Sequence, residues 1–194
     1  MVVVLTVGGL NFGLSDQLDT ALGGYASGDG RTRVQVKFAQ SAGTASITEG
    51  ATKLDTAIKY WRDRGEDVEV LAHSQGAEAC SEWMADHADK PDAPDRVSFI
   101  LLGNPRRRLG GAGKTGWNWK PIPRTPETQY RVVDVSRRWD GWANNDNWPG
   151  KPGRDSWRLW LGRWTDHTNY DGVDLGACQI REQSGNTTYL VSPT

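Results

Sequence analysis

The chain has 194 residues and a formal net charge of −1, from 23 basic and 24 acidic side chains. This balance excludes the strongly basic surface of a nucleic-acid-binding protein, so we expect no nucleic-acid partner. No apolar run approaches the ~20 residues of a membrane span, and the start lacks the basic region and cleavage site of a signal peptide. We therefore expect a single domain over residues 1–194, synthesised in the cytoplasm without a signal peptide or transmembrane segment.

Strand and helix patterns alternate along the chain. Continuous or alternating apolar runs predict strands at Val2–Val7, Arg31–Phe38, Val68–His73, Val97–Leu102 and Tyr130–Val135. Helical spacing predicts helices at Asp16–Leu22, Thr48–Arg64, Gln75–His87 and Trp157–Trp164, and the tail 177–191 is typical of a β-hairpin. Such alternation requires crossover connections. It predicts an α/β fold with a mostly parallel central sheet and helices on both faces, a three-layer sandwich.

Two long stretches, 106–128 and 139–155, show no regular spacing of apolar residues and are predicted to be irregular loops. Since such loops often carry binding and catalytic residues, we expect them near the functional site. Eight of the ten tryptophans follow residue 110. They could line an apolar or sugar-binding cleft, or fill the core of a segment with little regular structure. Cys80 and Cys178 are too few for a disulfide framework, and their spacing leaves open whether they form a bridge.

Ser74 lies where the apolar strand 68–73 runs directly into a helix. This layout is typical of a nucleophile elbow, in which a sharp strand-to-helix turn exposes the serine hydroxyl. Small residues must flank the serine, because the strand and the helix approach closely. Ala72 and Gly76 occupy those places, giving A-x-S-x-G in place of the fuller G-x-S-x-G.

A serine hydroxyl needs a base, and the chain contains three histidines. The side chain of His73 should point away from the adjacent Ser74, because successive strand residues alternate in direction. His87 lies at the far end of the following helix, beside acidic residues, and is predicted to be solvated. His167 follows in the order serine, acid, histidine that this fold uses, and is the predicted base.

The acid that orients the histidine should follow a later strand and precede His167. Asp140 lies five residues beyond the apolar stretch 132–135 and is the preferred candidate. Asp146, deeper in the loop, and Asp134, inside the strand, stay open as alternatives. Loop capping is the ordinary role of any one of these aspartates.

The attacked carbonyl also needs backbone N–H donors for its developing negative charge. The amide of Gln75, at the start of a helix, is one predicted donor. The loop after the first strand should supply the other, with Leu10 preferred and Gly9 next, although a Gly-Gly pair can serve only as a turn. Histidines and cysteines without ligand spacing predict no metal site, and we expect no cofactor.

Several motifs resemble known families. His73-Ser74-Gln75-Gly76-Ala77 resembles the elbow of cutinase-like serine esterases. Leu102–Arg107 is similar to the "GNPRR" segment of the PE-PPE-domain serine hydrolases of mycobacteria and the lysin B esterases of mycobacteriophages. Trp139–Ala143 and His167–Tyr170 resemble the Y-D-G-x-A and histidine motifs of the PE-PPE branch.

This resemblance implies a cutinase-like α/β-hydrolase fold and a serine esterase acting on fatty or mycolic acyl esters. By position it assigns Ser74 as nucleophile, Asp140 as acid, His167 as base and the Gln75 amide to the oxyanion hole. An Asn-rich insertion after Ala143 blurs the alignment and keeps Asp146 open as the acid.

Two other functions stay open: an acyltransferase of the same fold, in which an alcohol replaces water, and a non-catalytic binding domain of a phage or cell envelope. The composition, rich in Gly, Ala, Arg, Trp and Asp, is typical of a GC-rich actinobacterial or phage genome. It therefore leaves a host enzyme and a phage virion or lysis protein both open. The oligomeric state is also open.

Overall fold

A computed structural model describes residues 1–11, 18–90, 94–114 and 120–193, and its core is a seven-stranded sheet in the order β2-β1-β3-β4-β5-β7-β6. The strands are β1 (Val2–Val7), β2 (Arg31–Gln35), β3 (Asp67–His73), β4 (Val97–Leu102), β5 (Arg131–Arg137), β6 (Gln179–Ser184) and β7 (Thr187–Ser192). Neighbouring strands run parallel except in the β6–β7 hairpin. The predicted mostly parallel sheet and C-terminal hairpin are confirmed.

The helices differ more from the prediction than the strands do. They are α1 (Ala21–Gly24), α2 (Thr44–Arg62), α3 (Gln75–His87) and α4 (Ser156–Gly162), with 3₁₀ turns at Tyr25–Ser27, Pro94–Arg96 and Leu175–Ala177. The predicted helix over 16–22 is wrong in its described part. Leu22 and Gly23 have left-handed backbone angles, so α1 is only a kinked turn; residues 16 and 17 lie outside the described ranges.

Strand order decides which face each connection covers. The chain moves outward from β1 to β2, then crosses back over β1 to β3 and continues to β4. Right-handed crossovers in opposite directions lie on opposite faces of a sheet. The helices α2 and α3 therefore share one face, and the β1–β2 connection covers the other. The direction reverses between β1 and β3, which makes the carboxyl ends of these strands the switch point where α/β folds bind ligands.

The face under α2 and α3 forms the larger apolar core. Alternate residues of the strands pack there against the inner sides of both helices. The buried members include Val3, Leu5, Val70, Phe99 and Leu101 from the sheet, and Leu54, Ile58, Cys80, Trp83 and Met84 from the helices. The β-branched run of β1 is buried on both faces, as expected for an inner parallel strand.

The opposite face is covered mainly by the short α1, 3₁₀ turns and loops. Its core joins Val4, Leu71, Ile100, Leu102, Val135 and Leu190 of the sheet to Leu18, Ala21, Ala26, Tyr170 and Val173. Cys178 packs against this core, whereas Cys80 belongs to the other one. Because the sheet separates them, the two cysteines are free thiols and form no bridge. Within the described residues, no helix is both long and apolar enough to cross a bilayer.

Candidate active site

Ser74 occupies the predicted sharp turn between β3 and α3. Its backbone angles, φ 53° and ψ −115°, are strained for a residue with a side chain. The turn is fixed by the amide of Ser74, which donates to the Leu102 carbonyl at 3.0 Å. A Cβ on Gly76 would lie 2.0 Å from the carbonyl oxygen of Val7. Gly76 is therefore the residue that lets the start of α3 lie directly against the end of β1, the strand beside β3 in the sheet.

The structure brings Ser74, His167 and Asp140 into one hydrogen-bonded chain. His167 Nε2 lies 2.7 Å from Ser74 Oγ, and His167 Nδ1 lies 2.9 Å from Asp140 Oδ2. An ionised carboxylate can only accept, so Nδ1 carries the imidazole proton and donates to Asp140. Nε2 is then free to accept the proton of the serine hydroxyl. Both His167 and Asp140 are buried, and Asp140 has no exposed surface.

The carboxylate of Asp140 has further donors besides His167. The amides of Trp142 and Ala143 donate to Oδ1 at 2.8 and 3.1 Å, and the Tyr170 hydroxyl donates to Oδ2 at 2.8 Å. Burial by itself raises the pKa of Asp140. The electrostatic interaction with His167 and the hydrogen bonds from His167, Tyr170 and Trp142 outweigh it and hold the pKa below its usual value. The buried acid is thus kept ionised.

Tyr170 is a site residue that the sequence reasoning missed. Its hydroxyl accepts from the Arg137 amide at 3.1 Å while donating to Asp140, and the side chain is buried. Burial, followed by the negative charge of Asp140, raises the pKa of Tyr170 well above its usual value, so the phenol stays protonated and keeps donating. The available signal was its place three residues after His167, in the motif that carried the resemblance.

Gly103 is the second residue that was missed. It follows β4 directly with φ +58°, and a Cβ there would lie 3.0 Å from His167 Nδ1 and 3.1 Å from Asp140 Oδ2. The backbone of Gly103 therefore passes directly beside the His167–Asp140 pair. A glycine at the end of a central strand was the signal that could have identified it.

The other two histidines have structural roles. His73 Nε2 lies 2.6 Å from the His167 carbonyl oxygen. Burial, then the neighbouring His167, lowers the pKa of His73 to about 4, so the ring is neutral and donates to that carbonyl. The prediction that His87 is solvated is wrong. Its ring is buried by stacking on Trp83, one turn earlier on α3, at 4.1 Å, and its Nε2 lies 3.1 Å from Asp55.

The alternative acids pair with arginines. Asp146 binds Arg181 through two hydrogen bonds of 2.6 and 3.0 Å. Asp134 is buried on the inner strand β5, where its carboxylate accepts from Arg107 at 3.0 Å and from Asn104 at 2.9 Å. Of the three aspartates considered, Asp140 is the one whose carboxylate is hydrogen-bonded to His167.

The predicted oxyanion donors lie on the two segments that meet at the elbow. Gln75 begins α3, where the first backbone N–H groups have no partner within the helix. Leu10 follows β1, and the neighbouring Gly8 carbonyl lies against Gly76. Gln40 holds this loop, donating from Nε2 to the Gly9 carbonyl at 2.9 Å. The described residues contain no group of three or more His, Cys, Asp or Glu side chains that could hold a metal ion.

Comparison with known proteins identifies relatives over most of the chain. The PE-PPE domain family model matches residues 31–194. Esterase PE16 of Mycobacterium tuberculosis (strain ATCC 25618 / H37Rv) is 33% identical over 165 residues, which cover 76% of this chain and 31% of the relative. The chain thus spans about a third of the length of that curated relative.

Two solved structures are similar in fold. A cutinase-like protein from Cryptococcus sp. aligns with a TM-score of 0.55 at 15% identity, over 89% of this chain and 96% of that one. An acetylxylan esterase aligns with a TM-score of 0.53 at 14% identity, over 84% and 91% of the two chains. They confirm the predicted cutinase-like α/β-hydrolase fold. Since the family model matches more than half of the sequence, the chain belongs to the PE-PPE domain family.

Proposed function

We propose that this chain is a serine esterase that cleaves carboxylic acyl esters through an acyl-enzyme on Ser74. The observation that carries the proposal is the pair of contacts at His167, 2.7 Å from Nε2 to Ser74 Oγ and 2.9 Å from Nδ1 to Asp140. A hydroxyl, a base and an orienting carboxylate in this arrangement form an activated nucleophile.

Acylation begins when Ser74 Oγ attacks the carbonyl carbon of the ester and His167 Nε2 takes the hydroxyl proton. The carbonyl oxygen becomes an oxyanion, which the amides of Gln75 and Leu10 stabilise by donating hydrogen bonds. Asp140 stabilises the imidazolium. His167 then gives its Nε2 proton to the leaving alcohol oxygen, the ester C–O bond breaks, and the acyl group stays on Ser74.

Deacylation repeats these steps with water. His167 Nε2 removes a proton from a water molecule, whose oxygen attacks the acyl carbon and re-forms the oxyanion. Collapse of this intermediate breaks the bond to Ser74 Oγ, which regains its proton from His167. The products are a carboxylic acid and the free enzyme.

Support for an ester substrate comes from the relatives. One of them is named an esterase, and it shares a third of its residues with this chain over the aligned region. A fatty or mycolic acyl group is proposed from the motifs at Ser74, Asp140 and His167 that resemble the PE-PPE branch. The aligned region covers 31% of that relative, so ester cleavage is the one property proposed from it.

A series of p-nitrophenyl esters of increasing acyl length tests the reaction. We expect hydrolysis by the parent chain and a loss of about 10³-fold or more in kcat for Ser74→Ala. A fluorophosphonate probe should label the parent on Ser74 and leave the variant unlabelled. Parent protein that neither turns over any ester nor reacts with the probe would instead favour the non-catalytic binding domain.

The acid is tested by two matched variants, Asp140→Asn and Asp146→Asn. We expect Asp140→Asn to lower kcat by roughly 10³-fold or more, because the amide no longer fixes the imidazole tautomer. Asp146→Asn should retain most of the activity, since its partner is Arg181. The reverse result would transfer the acid's role to Asp146.

Acyl transfer is distinguished from hydrolysis by the product. With an added alcohol, an acyltransferase forms a new ester from the same acyl-enzyme, whereas a hydrolase releases the free acid. We expect the acid to predominate in water. Predominant formation of the new ester would assign the chain to the acyltransferases.

A further inference from the structure

The most prominent exposed apolar surface of the described residues lies on and just after α4. Its four members, here called the tryptophan face, have exposed fractions of 66%, 61%, 45% and 61% for Trp157, Trp160, Leu161 and Trp164. Large indoles exposed to this extent are unusual, since tryptophan is on average one of the well-buried residues. Several of them in one short stretch indicate a surface that contacts another phase or molecule.

The spacing of these residues explains why they share one face. Trp157, Trp160 and Leu161 stand at positions i, i+3 and i+4 of α4, and a helix turns about 100° per residue, so their side chains project from a single stripe. Trp164 follows in the turn after the helix, where its amide donates to the Leu161 carbonyl at 2.9 Å. The opposite side of α4 is fixed to the protein. Leu159 is buried there, and Gly162 lies so close to the Trp139 carbonyl that no Cβ would fit. Firm packing on the inner side therefore holds the tryptophan face toward solvent.

Positive charge accompanies this face. The stretch 151–164 contains four basic residues and one acidic residue, Asp155. Three of the basic side chains, Lys151, Arg154 and Arg158, are exposed. The rest of the chain has 19 basic and 23 acidic side chains, so the local excess of cations is a property of this segment and not of the whole sequence.

We propose that the tryptophan face docks the protein on an anionic lipid surface. Indole rings favour the boundary between headgroups and acyl chains, because they combine a large apolar area with one N–H donor. Exposed lysines and arginines beside such a face are attracted to negatively charged headgroups. The indoles would contact the apolar part of the lipid surface, and the cations would attract its negatively charged headgroups.

Docking would bring the candidate active site close to the lipid. The amide of His167 donates to the Gly162 carbonyl at 2.8 Å, so the end of α4 is directly bonded to the loop that carries the predicted base. A surface-bound protein would therefore hold Ser74 near esters embedded in that surface. This orientation rests on the proposed esterase function, whereas the binding itself does not.

The test uses the Ser74→Ala chain, so that no lipid is consumed, and vesicles of phosphatidylglycerol mixed with phosphatidylcholine. Co-sedimentation and a blue shift of tryptophan emission report binding. We expect the chain to bind, and the added triple change Trp157→Ala, Trp160→Ala and Trp164→Ala to weaken the partition coefficient by roughly tenfold or more. The control is Tyr60→Ala, which removes a 48% exposed aromatic residue from α2 and should bind as before.

Charge is tested separately by Arg154→Glu with Arg158→Glu, which should weaken binding to the anionic vesicles and make it less sensitive to salt. Circular dichroism and thermal unfolding verify that each variant is folded. Failure of the Ser74→Ala chain to sediment with vesicles, or undiminished binding by the triple variant, would overturn the proposal. So would self-association that the triple variant abolishes, since the face would then be a protein interface.

The two proposals fail independently. The absence of p-nitrophenyl ester hydrolysis by the parent chain would remove the esterase function and leave lipid docking standing. Failure to bind vesicles with intact ester hydrolysis would remove lipid docking and leave the esterase function standing.

Discussion

At the scale of single residues, the central feature is the buried charge of Asp140. A carboxylate without exposed surface is costly unless donors replace its water. Here the donors come from two places: the following loop, through the amides of Trp142 and Ala143, and the segment 167–170, through His167 and Tyr170. These donors fix the orientation of the acid before any substrate binds, which is the condition for stabilising charge without rearrangement.

Tyr170→Phe should separate this orienting role from simple packing. The phenyl ring fills the same space, but the hydrogen bond to Asp140 Oδ2 is lost. We expect kcat/KM on soluble esters to fall roughly fivefold to tenfold, about 1 kcal/mol, mainly through kcat. The kinetic profile, with kcat and KM determined separately, distinguishes this orienting role from a loss of packing, which would instead lower the free energy of unfolding. Tyr60→Phe, on the exposed side of α2, is the control; a Tyr170→Phe profile identical to it would contradict the role.

Gly103→Ala should disturb the contact between His167 and Asp140. The alanine must adopt φ +58°, and its Cβ would meet His167 Nδ1 and Asp140 Oδ2 at 3.0 and 3.1 Å. We expect at least a tenfold loss of kcat and a fall of roughly 1–2 kcal/mol in the free energy of unfolding. Urea unfolding and ester kinetics measure the two effects. Gly172→Ala is the matched control, because no atom lies within 4 Å of its added Cβ; equal activity of both variants would contradict the expected clash.

At the scale of elements, the segment after β4 ties three strands together. Arg107 has no exposed surface and donates to the Asp134 carboxylate and carbonyl on β5, and to the Leu190 carbonyl on β7. Asn104 completes the group by donating to Asp134 at 2.9 Å. Burial raises the pKa of Asp134, although Arg107 and Asn104 act against it. The segment that resembled "GNPRR" thus has a clear structural role in this chain.

Asp134→Ala should be strongly destabilising, because it leaves the Arg107 guanidinium buried without its carboxylate. Removing one partner of a buried ion pair costs about 3–5 kcal/mol, and we expect a loss of that order in urea unfolding. Arg181→Ala breaks the partly exposed pair with Asp146 and should cost about 1 kcal/mol or less. Comparable losses in the two variants would show that burial does not determine how much the Arg107–Asp134 pair contributes to the free energy of unfolding.

Elements that depend on neighbouring residues of the sequence were predicted accurately, whereas elements that depend on contacts between distant residues were not. The β3–α3 unit around Ser74 was predicted to within a residue, since an apolar strand and an apolar helical stripe are local signals. The region 16–22 was predicted as a helix because its local spacing of residues suits one. Contacts with distant partners decide otherwise: the amides of Leu22 and Gly23 bond to the carbonyls of Tyr170 and Asp171.

The candidate site shows the same limit. The elbow pattern selected Ser74 and chain order selected His167, but nothing local separates Asp140 from Asp146 within one irregular loop. The difference arises from Arg181, 35 residues further on, which pairs with Asp146. His87 illustrates the converse, since its burial depends on stacking against Trp83 and pairing with Asp55 of another helix.

At the scale of the whole molecule, the sheet order brings the carboxyl ends of β1 and β3 together and places the loop 8–11 against the start of α3. The first turn of α3 then carries a buried carboxyl group, Glu78, one turn after Ser74. Burial raises the pKa of Glu78 to about 7, while the charges of Arg106 and His167 act in the opposite direction and Glu82 adds to the rise. Folding therefore favours the protonated acid, and global stability becomes dependent on pH.

The direction of this pH dependence follows from the protonation of Glu78 in the folded and the unfolded chain. Below pH ~4.5 Glu78 is protonated whether the chain is folded or unfolded; between ~4.5 and 7 only the unfolded chain loses the proton, so stability falls as pH rises. Glu78→Gln removes this titration, and its stability advantage over the parent should grow by roughly 3 kcal/mol from pH 4.5 to 8. Urea unfolding at several pH values measures it. The control is Glu182→Gln, an exposed residue of β6 that does not act on Glu78, and a Glu78→Gln difference independent of pH would contradict the raised pKa.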